Sequence, residues 1–468
     1  MERVGQNGPP TAGRWPAPAA TGPVRARLAV PGSKSMTNRA LVLAALADGP
    51  GTIAGPLHAR DTLLMRAALT ALGASITDNV PDDAGAADPA PSWQVTPGQP
   101  GADVRVDVGN AGTVLRFAPP VAALTGVSAA FHGDPRAAER PVGPVLAALR
   151  ELGAVIDDGG RGAIPFTVRG TGSLPGGAVT VDASASSQFV SGLLLAAPRF
   201  DKGAEIRHRG GRAPSAPHIA MTVAMLRDAG AEVETWAQDP GPPAGPPDTW
   251  RVHPGVIGQH EVIVQPDLSS ALPFLAAALV TGGSVTIAGW PAVTWQPAAQ
   301  ILDLLSAFGA TCTLVKGESE EGMGRRAGGG GLTVTGTGRI RPVIADLADA
   351  GESAPVAAAL AALGDGPSRL TGIGHLRRHE TDRLAALAAE IGALGGDVTE
   401  LDDGLEIRPR PLAATGRPFA SHDDHRLVMA AAVLGLAVPG IEVANAATVG
   451  KTFPAFTRLW ASMLERVP

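Results

Sequence analysis

The chain has 468 residues, of which 45% are hydrophobic, so it is long enough for two or more domains that each bury a core. Its net charge is −6, from 38 Lys and Arg against 44 Asp and Glu, and this excludes a global basic field for nucleic acid. The absence of Tyr and the 4% aromatic content also exclude a platform on which bases could stack. No apolar run reaches the roughly 18 residues of a membrane span. Neither nucleic acid nor a membrane is therefore expected as a partner.

Both the N-terminus and the cysteine content carry information about the cellular setting. Residues 1–24 are rich in Pro, Ala and Gly, and they lack the apolar segment of a secretory signal. We predict that residues 1–24 form a disordered tail. The single Cys312 excludes an internal disulfide and fits a reducing compartment, which favours the cytoplasm.

A pattern recurs six times along the chain, at intervals of roughly 70–85 residues. Each copy starts with a polar or Gly-containing segment, continues as an Ala/Leu-rich helical run, and then has a Gly turn and a short β-branched strand. The six opening segments are PGSKS at 31–35, NAGT at 110–113, SASSQ at 184–188, QPD at 265–267, ESAP at 352–355 and DDHR at 423–426. We infer one αβ module that has been copied six times.

Between the openings lies a second helical phrase that ends at a Gly, as in LMRAALTALGASI at 64–76, so each module holds two helices and several strands. Alternation of helices and strands alone would suggest a doubly wound parallel sheet. No single sheet comfortably takes six modules, so we expect two domains of three modules each. The opening segments would then bring helix N-termini, which attract anions, to a shared cleft.

Basic side chains recur at these openings although the protein is acidic. Lys34 and Arg39 lie on the first helix, Arg116 on the second, and Arg426 on the last, and Lys451 follows a Gly near the C-terminus. Each could be an exposed residue of a capped helix, in a surface pair worth only about 0.3–0.5 kcal/mol. The recurrence favours an anionic ligand, because Lys supplies a point charge and Arg a planar fork for phosphate or carboxylate.

Three more specific motifs, for nucleotide or metal binding, are only partly matched by the sequence. Gly450-Lys451-Thr452 matches the end of a nucleotide-binding P-loop, but Asn445 stands where the first Gly belongs. His379-Glu380 begins a zinc-protease motif, but Arg383 stands where the second His is required. The segment His422–His425 offers two His without further ligands at finger spacing. No metal is therefore expected.

Seven phrases in this sequence are recognisable together: PGSKSMTNRAL, GNAGTVLRF, GDPRAAERPVGPV, SASSQFVSGLLL, HETDRL, DDHRLVMA and GKTFPAF. In them the chain resembles the EPSP synthase family, the 3-phosphoshikimate 1-carboxyvinyltransferases, over essentially its whole length beyond the tail. Its composition resembles that of actinobacterial members. The resemblance implies an α/β fold of two similar lobes, each of three βαβαββ units around a pseudo-threefold axis. It implies one lobe at 32–265 on the shikimate-phosphate side, and another at 25–31 plus 266–468 on the phosphoenolpyruvate side.

The resemblance also implies an activity. The family transfers the enolpyruvyl group of phosphoenolpyruvate to the 5-hydroxyl of shikimate 3-phosphate, releasing phosphate, in chorismate and aromatic amino-acid biosynthesis. It uses no metal or organic cofactor, so the expected partners are these two small molecules. We further expect a monomer in the cytoplasm.

Site residues follow from the resemblance, position by position. The catalytic group is Lys34, Glu352, Glu380 and Lys451. The shikimate 3-phosphate group is Lys34, Ser35, Arg39, Ser186, Ser187, Gln188, Ser215, Glu352 and His379. The phosphoenolpyruvate group is Lys34, Gly112, Arg140, Gln188, Arg383, His425, Arg426 and Lys451. Arg116 resembles a position that only holds the nearby loop.

The reaction needs a base for the hydroxyl proton and an acid for the methylene carbon. Glu352 matches a position where many relatives carry Asp, and we assign it as the base. Glu380 is assigned as the proton donor, with Lys34 and Lys451 as competing candidates. Carboxylates among cations tend to stay ionised, so Glu380 needs desolvation or a neighbouring carboxylate to act as an acid.

Several positions set this chain apart within the family. His379 stands where many relatives have Lys, and His218 where many have Tyr; a neutral His379 would attract the substrate less strongly. Gly112 and Thr113 are of the glyphosate-sensitive type, so we predict that glyphosate competes with phosphoenolpyruvate. A Cβ at position 112 would push into the enolpyruvate site.

Two other functions are weighed. The sister carboxyvinyltransferases that act on UDP-N-acetylglucosamine often carry a reactive Cys in the second unit and a Lys-Asn pair. Here Cys312 lies in the fourth or fifth unit, and the pair is Lys34-Ser35. A non-catalytic, anion-binding scaffold is the other alternative, and the intact set of charged residues disfavours it.

Overall fold

The computed structural model describes residues 13–79, 91–237, 246–258, 261–315 and 330–465. Within them, α-helices α1 to α12 are Lys34–Ala45, Arg60–Ala71, Gly112–Ala123, Gly143–Glu151, Gln188–Ala196, Ala216–Asp228, Leu268–Thr281, Ala298–Ala307, Ala354–Ala362, Arg383–Ala393, His425–Gly435 and Phe456–Glu465. Strands β1 to β12 are Arg14–Pro16, Arg25–Leu28, Gly51–Ala54, Ser75–Asn79, Ser92–Thr96, Val104–Asp107, Ser128–His132, Val155–Asp157, Phe166–Arg169, Gly177–Val181, Ala204–His208 and Val233–Trp236. Strands β13 to β23 are Thr249–Val252, Glu261–Ile263, Ser284–Ala288, Thr311–Val315, Gly331–Thr335, Ile344–Asp346, Ser368–Thr371, Asp397–Leu401, Gly404–Arg408, Phe419–Ala420 and Glu442–Ala444.

The strands of the described residues form six sheets, five with four strands and one with three. One module reads β6-α3-β7-α4-β8-β9, and its sheet has the order β6-β7-β9-β8. The first two strands of this sheet are parallel, and the remaining pairs are antiparallel. The same order recurs in β10-β11-β13-β12 and β18-β19-β21-β20. The predicted α/β class with repeated βαβαββ units is confirmed.

Buried apolar side chains form two separate clusters. The first core draws on residues between 36 and 264, and the second core on residues 17–30 and 268–463. Helix α3 packs against α5 in the first core, and α9 packs against α11 in the second. These helices are buried on nearly every side, which explains why they are apolar all round instead of amphipathic. No helix of the described residues is long and apolar enough to cross a bilayer.

The chain exchanges strands between the two cores. Strand β2 precedes α1, but it pairs in parallel with β15 of the second core. Strand β14 precedes α7, but it pairs in parallel with β3 of the first core. At the crossing, Gly32 bridges Pro266, and a Cβ on Gly32 would lie 2.4 Å from the carbonyl oxygen of Gly55. The exchange therefore brings the N-termini of α1 and α7 together, and the Lys34 amide lies 3.3 Å from the Asp267 carboxylate.

The predicted disorder of residues 1–24 is wrong for residues 13–24, while residues 1–12 lie outside the described residues. Strand β1 pairs antiparallel with β23 and completes the three-stranded sheet. Ala17 and Val24 are buried in the second core at 4% and 3% exposure. The composition of residues 13–24 does not reveal this order, because the three-residue strand β1 is stabilised by pairing with a strand far away in the chain, whose edge it covers.

Candidate active site between the two cores

Helix N-termini from both cores surround one opening. Helices α1 and α5 contribute from the first core, and α7, α9 and α11 contribute from the second. Several of these helices start where a side chain caps the first turn, as Ser33 does for α1 and Asp424 for α11. Local capping therefore aims the ends that attract anions into the space between the cores.

Lys34 lies in this opening against carboxylates from both cores. Its Nζ is 3.4 Å from Oδ2 of Asp61, and Oδ1 of Asp61 is in turn 3.9 Å from Nζ of Lys451. Burial lowers the pKa of Lys34, but Asp61, Glu380 and Glu352 outweigh it and leave the pKa above its usual value. Lys34 therefore stays charged, as a residue that binds anions should.

Glu380 is surrounded by cations although it is only 6% exposed. Its carboxylate lies 3.1 Å from Lys451, 3.0 Å from Arg383 and 3.8 Å from Arg140. Burial raises the pKa of Glu380, but Lys451, Arg140 and Arg383 together hold it well below its usual range. The desolvation that the acid role requires is present, yet without substrates Glu380 is ionised.

Arg383 is fully buried and links the carboxylates of the second core. It donates to Asp424 at 2.7 Å, to Glu380 at 3.0 Å and to Glu352 at 3.2 Å. Burial lowers the pKa of Arg383, but these three carboxylates, with Asp424 first, raise it above its usual value. The guanidinium fixes the three acids relative to one another.

Glu352 lines the opening from the short 3₁₀ turn Gly351–Ser353, just before α9. Its side chain is 29% exposed, and one of its oxygens lies 3.2 Å from Arg383 and 3.1 Å from Arg426. Burial raises the pKa of Glu352, but Arg383 and then Arg426 hold it well below its usual range. The carboxylate is therefore ionised and in a form that can accept a proton.

Four imidazoles border this site, and burial keeps all four uncharged at neutral pH. Burial is the largest cause lowering the pKa of His218 and of His375, each to about 4. The pKa values of His379 and His425 fall well below the usual range, mainly through burial and then through Arg383 and Arg426 respectively. Both ring nitrogens of His425 lack a hydrogen-bond partner among the described residues. His422, one of the two His considered as a metal pair, is hydrogen-bonded to Glu390 at 3.0 Å.

Gly112 sits where two guanidinium groups approach the backbone. A Cβ there would lie 2.6 Å from Nη2 of Arg140 and 2.8 Å from Nη1 of Arg116. Arg140 donates to the carbonyl of Asn110 at 2.8 Å, whereas its Nε has no partner among the described residues. Arg116 is occupied by the Pro141 carbonyl and by Gln188, in keeping with its expected role of holding the loop. A side chain at position 112 would therefore have to displace these guanidinium groups.

The predicted shikimate-phosphate residues are brought together, with one exception. Those on the wall of the opening are Lys34, Ser35, Ser186, Ser187, Gln188, Ser215, Glu352 and His379. Arg39 lies behind this wall, 2% exposed, and donates to Thr222, Ser191 and main-chain carbonyls. Burial lowers the pKa of Arg39 to about 9.

The predicted phosphoenolpyruvate residues also come together. Lys451 donates across to the Asn110 carbonyl at 2.7 Å, next to Arg140 and Gly112. Lys451 ends the 3₁₀ turn Ala446–Lys451, and α12 starts at Phe456.

Sequence reasoning missed Asp61, His375 and Ser269. Asp61 is 2% exposed between two lysines, His375 lines the opening, and Ser269 accepts from Arg426 at 2.7 Å. Only Asp61 had a sequence signal, as an acid in the first turn of α2. Acids are common at helix starts, so this signal does not identify a site residue.

This arrangement of two αβ lobes with a cation-rich cleft at their helix N-termini is the fold of the enolpyruvyl transferases. Comparisons with known proteins agree. The structure is similar to EPSP synthase from Acinetobacter baumannii, with a TM-score of 0.75 at 24% identity, covering 97% of this chain and 98% of that one. It is also similar to the enolpyruvyl transferase NikO from Streptomyces tendae, with a TM-score of 0.68 at 18% identity over 95% and 96% of the two chains. At these identities the similarity establishes the fold alone.

The sequence carries the identification further. Residues 18–460 match the family model of EPSP synthase (3-phosphoshikimate 1-carboxyvinyltransferase). A 3-phosphoshikimate 1-carboxyvinyltransferase of Kocuria rhizophila is 51% identical over 456 residues, which cover 96% of each chain. This chain therefore belongs to the EPSP synthase family. It is a transferase of the shikimate pathway, which moves the enolpyruvyl group of phosphoenolpyruvate to shikimate 3-phosphate.

Proposed function

We propose that the opening between the two cores is the active site and that the residues assigned from sequence carry the reaction there. The observation that carries this proposal is the nest of four cations, Lys34, Arg383, Arg426 and Lys451, around the paired carboxylates of Glu352 and Glu380. Both substrates are anionic, so their mutual repulsion must be offset before they can react. The cations supply that charge, and the carboxylates supply acid–base groups.

Glu352 is the proposed base. It takes the proton of the substrate hydroxyl while that oxygen forms a bond to carbon 2 of the enolpyruvyl group. Its ionised state and its place on the wall of the opening support this role. Arg383 and Arg426 hold one oxygen of the carboxylate, so the other oxygen remains available to the substrate.

Glu380 is the proposed acid, delivering a proton to the methylene carbon in the addition step. The tetrahedral intermediate then loses phosphate from carbon 2 and returns a proton to Glu380 from the methyl carbon that was protonated in the addition step, so the product regains its double bond. Substrate anions compensate the charges of Lys451, Arg140 and Arg383, which removes the stabilisation that keeps Glu380 ionised. Lys34 is the weaker candidate, since its raised pKa makes it a poor acid.

Shikimate 3-phosphate is proposed to bind the serine-rich wall formed by Ser186, Ser187 and Ser215. Gln188 and His379 lie beside this wall. Arg39 is assigned to this group from sequence, and its buried hydrogen bonds favour a role behind the wall that holds α1 and α6 together.

The sister activity on UDP-N-acetylglucosamine is not favoured. Its reactive Cys would have to lie at the site, but the only cysteine, Cys312, lies on β16 and is not on the wall of the opening. Burial raises the pKa of the Cys312 thiol, which disfavours a thiolate nucleophile. The scaffold alternative predicts no turnover at all.

The test is phosphate release from phosphoenolpyruvate with and without shikimate 3-phosphate. Release that depends on the shikimate substrate is expected, and its absence would sink the proposed function. Glu352→Gln should lower turnover by at least about 10²-fold, because proton transfer contributes that much. Asp365→Asn is the control, since Asp365 pairs with Arg339 on the surface.

Three further proposals concern organisation. We place the two lobes at 32–265 and at 25–31 plus 266–468, which the two apolar cores support. Residues 14–16 would join the second lobe through β23. A monomer suffices because all site residues come from one chain, and sedimentation equilibrium tests this. The cytoplasm is the proposed location, as expected from the single Cys312.

A further inference from the structure

Glu390 lies outside the opening, yet its carboxylate is almost fully buried at 1% exposure. It sits on α10, two turns after Arg383, so both side chains project from the same face of that helix. Nothing in the proposed chemistry uses Glu390. All three of its hydrogen-bond donors come from the segment that leads into α11.

The three donors are distributed over both oxygens of Glu390. Oε1 accepts from Arg417 at 2.8 Å and from Nε2 of His422 at 3.0 Å. Oε2 accepts from the backbone amide of Ala420 at 3.0 Å. Arg383 then holds the end of the same segment through Asp424 at 2.7 Å. Helix α10 therefore fixes the segment at two points.

Between these points the backbone is strained. His422 and Asp423 have φ values of 50° and 55°, and two consecutive non-Gly residues in the left-handed region are unusual. We call residues His422–Asp423 the strained turn. Asn445, with a φ of 50°, donates to the Asp423 carboxylate at 2.5 Å. Such strain persists only where surrounding contacts over-determine the conformation.

The strained turn is connected to two cations of the site, Arg426 and Lys451. Asp424 follows the strained turn and accepts from the backbone amide of Arg426 at 2.8 Å, which sets the start of α11. Asn445 opens the 3₁₀ turn that ends at Lys451. A change in the strained turn would therefore displace Arg426 through Asp424, and Lys451 through Asn445.

We propose that Glu390 is a positioning residue: it holds the strained turn and thereby sets Arg426 and Lys451 for the phosphoenolpyruvate side of the site. This inference rests on the proposed function, which assigns both cations to phosphoenolpyruvate. The serines of the shikimate-phosphate wall lie at the start of α5 and at Ser215, among residues of the first core, so their positions do not depend on the strained turn.

The test is the substitution Glu390→Gln. Gln has the shape of Glu but no negative charge, and its NH₂ group would face one of the three donors that now reach the carboxylate. We expect KM for phosphoenolpyruvate to rise about tenfold, the size of one lost charge-assisted hydrogen bond, while KM for shikimate 3-phosphate stays within about twofold. The matched control is Asp158→Asn. Asp158 is also buried, at 5% exposure, and it also accepts from an arginine, Arg150, and from two loop amides, those of Gly160 and Gly162, but it lies beside the first core.

A second variant guards against loss of folding in the first. His422→Asn removes the ring that reaches Glu390, while Asn still tolerates the left-handed conformation. It should raise KM for phosphoenolpyruvate about threefold without affecting KM for shikimate 3-phosphate. An equal rise in both KM values, or loss of thermal stability alone as expected for Asp158→Asn, would overturn the proposal.

One readout does not depend on turnover. Backbone amides at residues 417–426 should exchange hydrogen faster in Glu390→Gln than in the parent protein, without substrates, and should be unchanged in Asp158→Asn. Unchanged exchange would overturn the role of Glu390 in the turn. A parent protein with no shikimate-dependent phosphate release would instead overturn the proposed function, so the two failures are separable.

Discussion

Nζ of Lys451 lies 3.1 Å from Oε1 of Glu380, and neither side chain is more than 6% exposed. The pair is held from the first core as well, since Lys451 donates to the Asn110 carbonyl at 2.7 Å. A buried ion pair of this kind is sensitive to any change that leaves one partner uncompensated. It also places the proposed proton donor beside a cation that an anionic substrate would neutralise.

Glu380→Gln is expected to lower turnover by at least about 10²-fold, because the amide cannot deliver a proton. Steady-state phosphate release measures this effect. The control is Glu406→Gln on β21, where the partly exposed Glu406 side chain pairs with Arg408. Turnover near that of the parent protein would remove Glu380 from proton transfer and leave Lys451 as the candidate donor.

Gly112→Ala is expected to raise KM for phosphoenolpyruvate about tenfold, because the new Cβ would displace the guanidinium of Arg140. Glyphosate, which we predict to compete with phosphoenolpyruvate, should inhibit the variant less than the parent. Gly126→Ala beyond the other end of α3 is the matched control, since a Cβ there meets nothing within 4 Å. Equal KM values for Gly112→Ala and its control would contradict the steric account, and full turnover in excess glyphosate at low phosphoenolpyruvate would refute the competition.

Arg212→Ala is expected to loosen the contact between the two cores. Arg212 of the first core lies 2.9 Å from Asp346 and 2.8 Å from Asp349 of the second, beside a hydrogen bond from the Ser215 amide to the Ala348 carbonyl. Because Arg212 is 51% exposed, each pair contributes at most about 1 kcal/mol. Small-angle scattering should give a larger radius of gyration without substrates, and both KM values should rise.

The control for Arg212→Ala is Arg207→Ala, which removes an exposed guanidinium that pairs with Glu205 inside one sheet. An identical radius of gyration in both variants would mean that Arg212 does not hold the cores together.

Acid is expected to destabilise the protein below pH 6.5 through the partly buried imidazoles that border the site. Burial lowers the pKa of His218 to about 4, whereas the unfolded chain keeps the ordinary value of 6.5. Between these values the unfolded state binds the extra proton, so the contribution to stability is present above pH 6.5 and is lost as the pH falls towards 4. His218 alone accounts for up to about 2 kcal/mol between pH 7 and pH 5.

Urea unfolding at pH 7 and pH 5 tests this sign. His218→Gln should lose less free energy of unfolding between the two pH values than the parent protein. His132→Gln is the control, because the His132 side chain is 41% exposed. The same pH dependence in His218→Gln and the parent would contradict a neutral buried ring.

Local chemistry determined much of this protein. Helix starts could be predicted because their caps lie within a few residues, as with Asp267, whose side chain accepts from the Ser270 amide at 2.9 Å. The sixfold repeat and the basic residues at the openings indicated an anionic ligand between two domains. The motifs around Lys34 and Arg426 carried the family resemblance.

Only the tertiary structure decided which of these groups meet. The exchange of β2 and β14 between the cores, the strand Arg14–Pro16, and the position of Asp61 between two lysines depend on partners far away in the chain. Periodicity and capping act over a few residues and cannot report such pairings. The ionisation of Glu380 likewise could not be predicted from the sequence, because it depends on cations that folding brings to this one buried carboxylate.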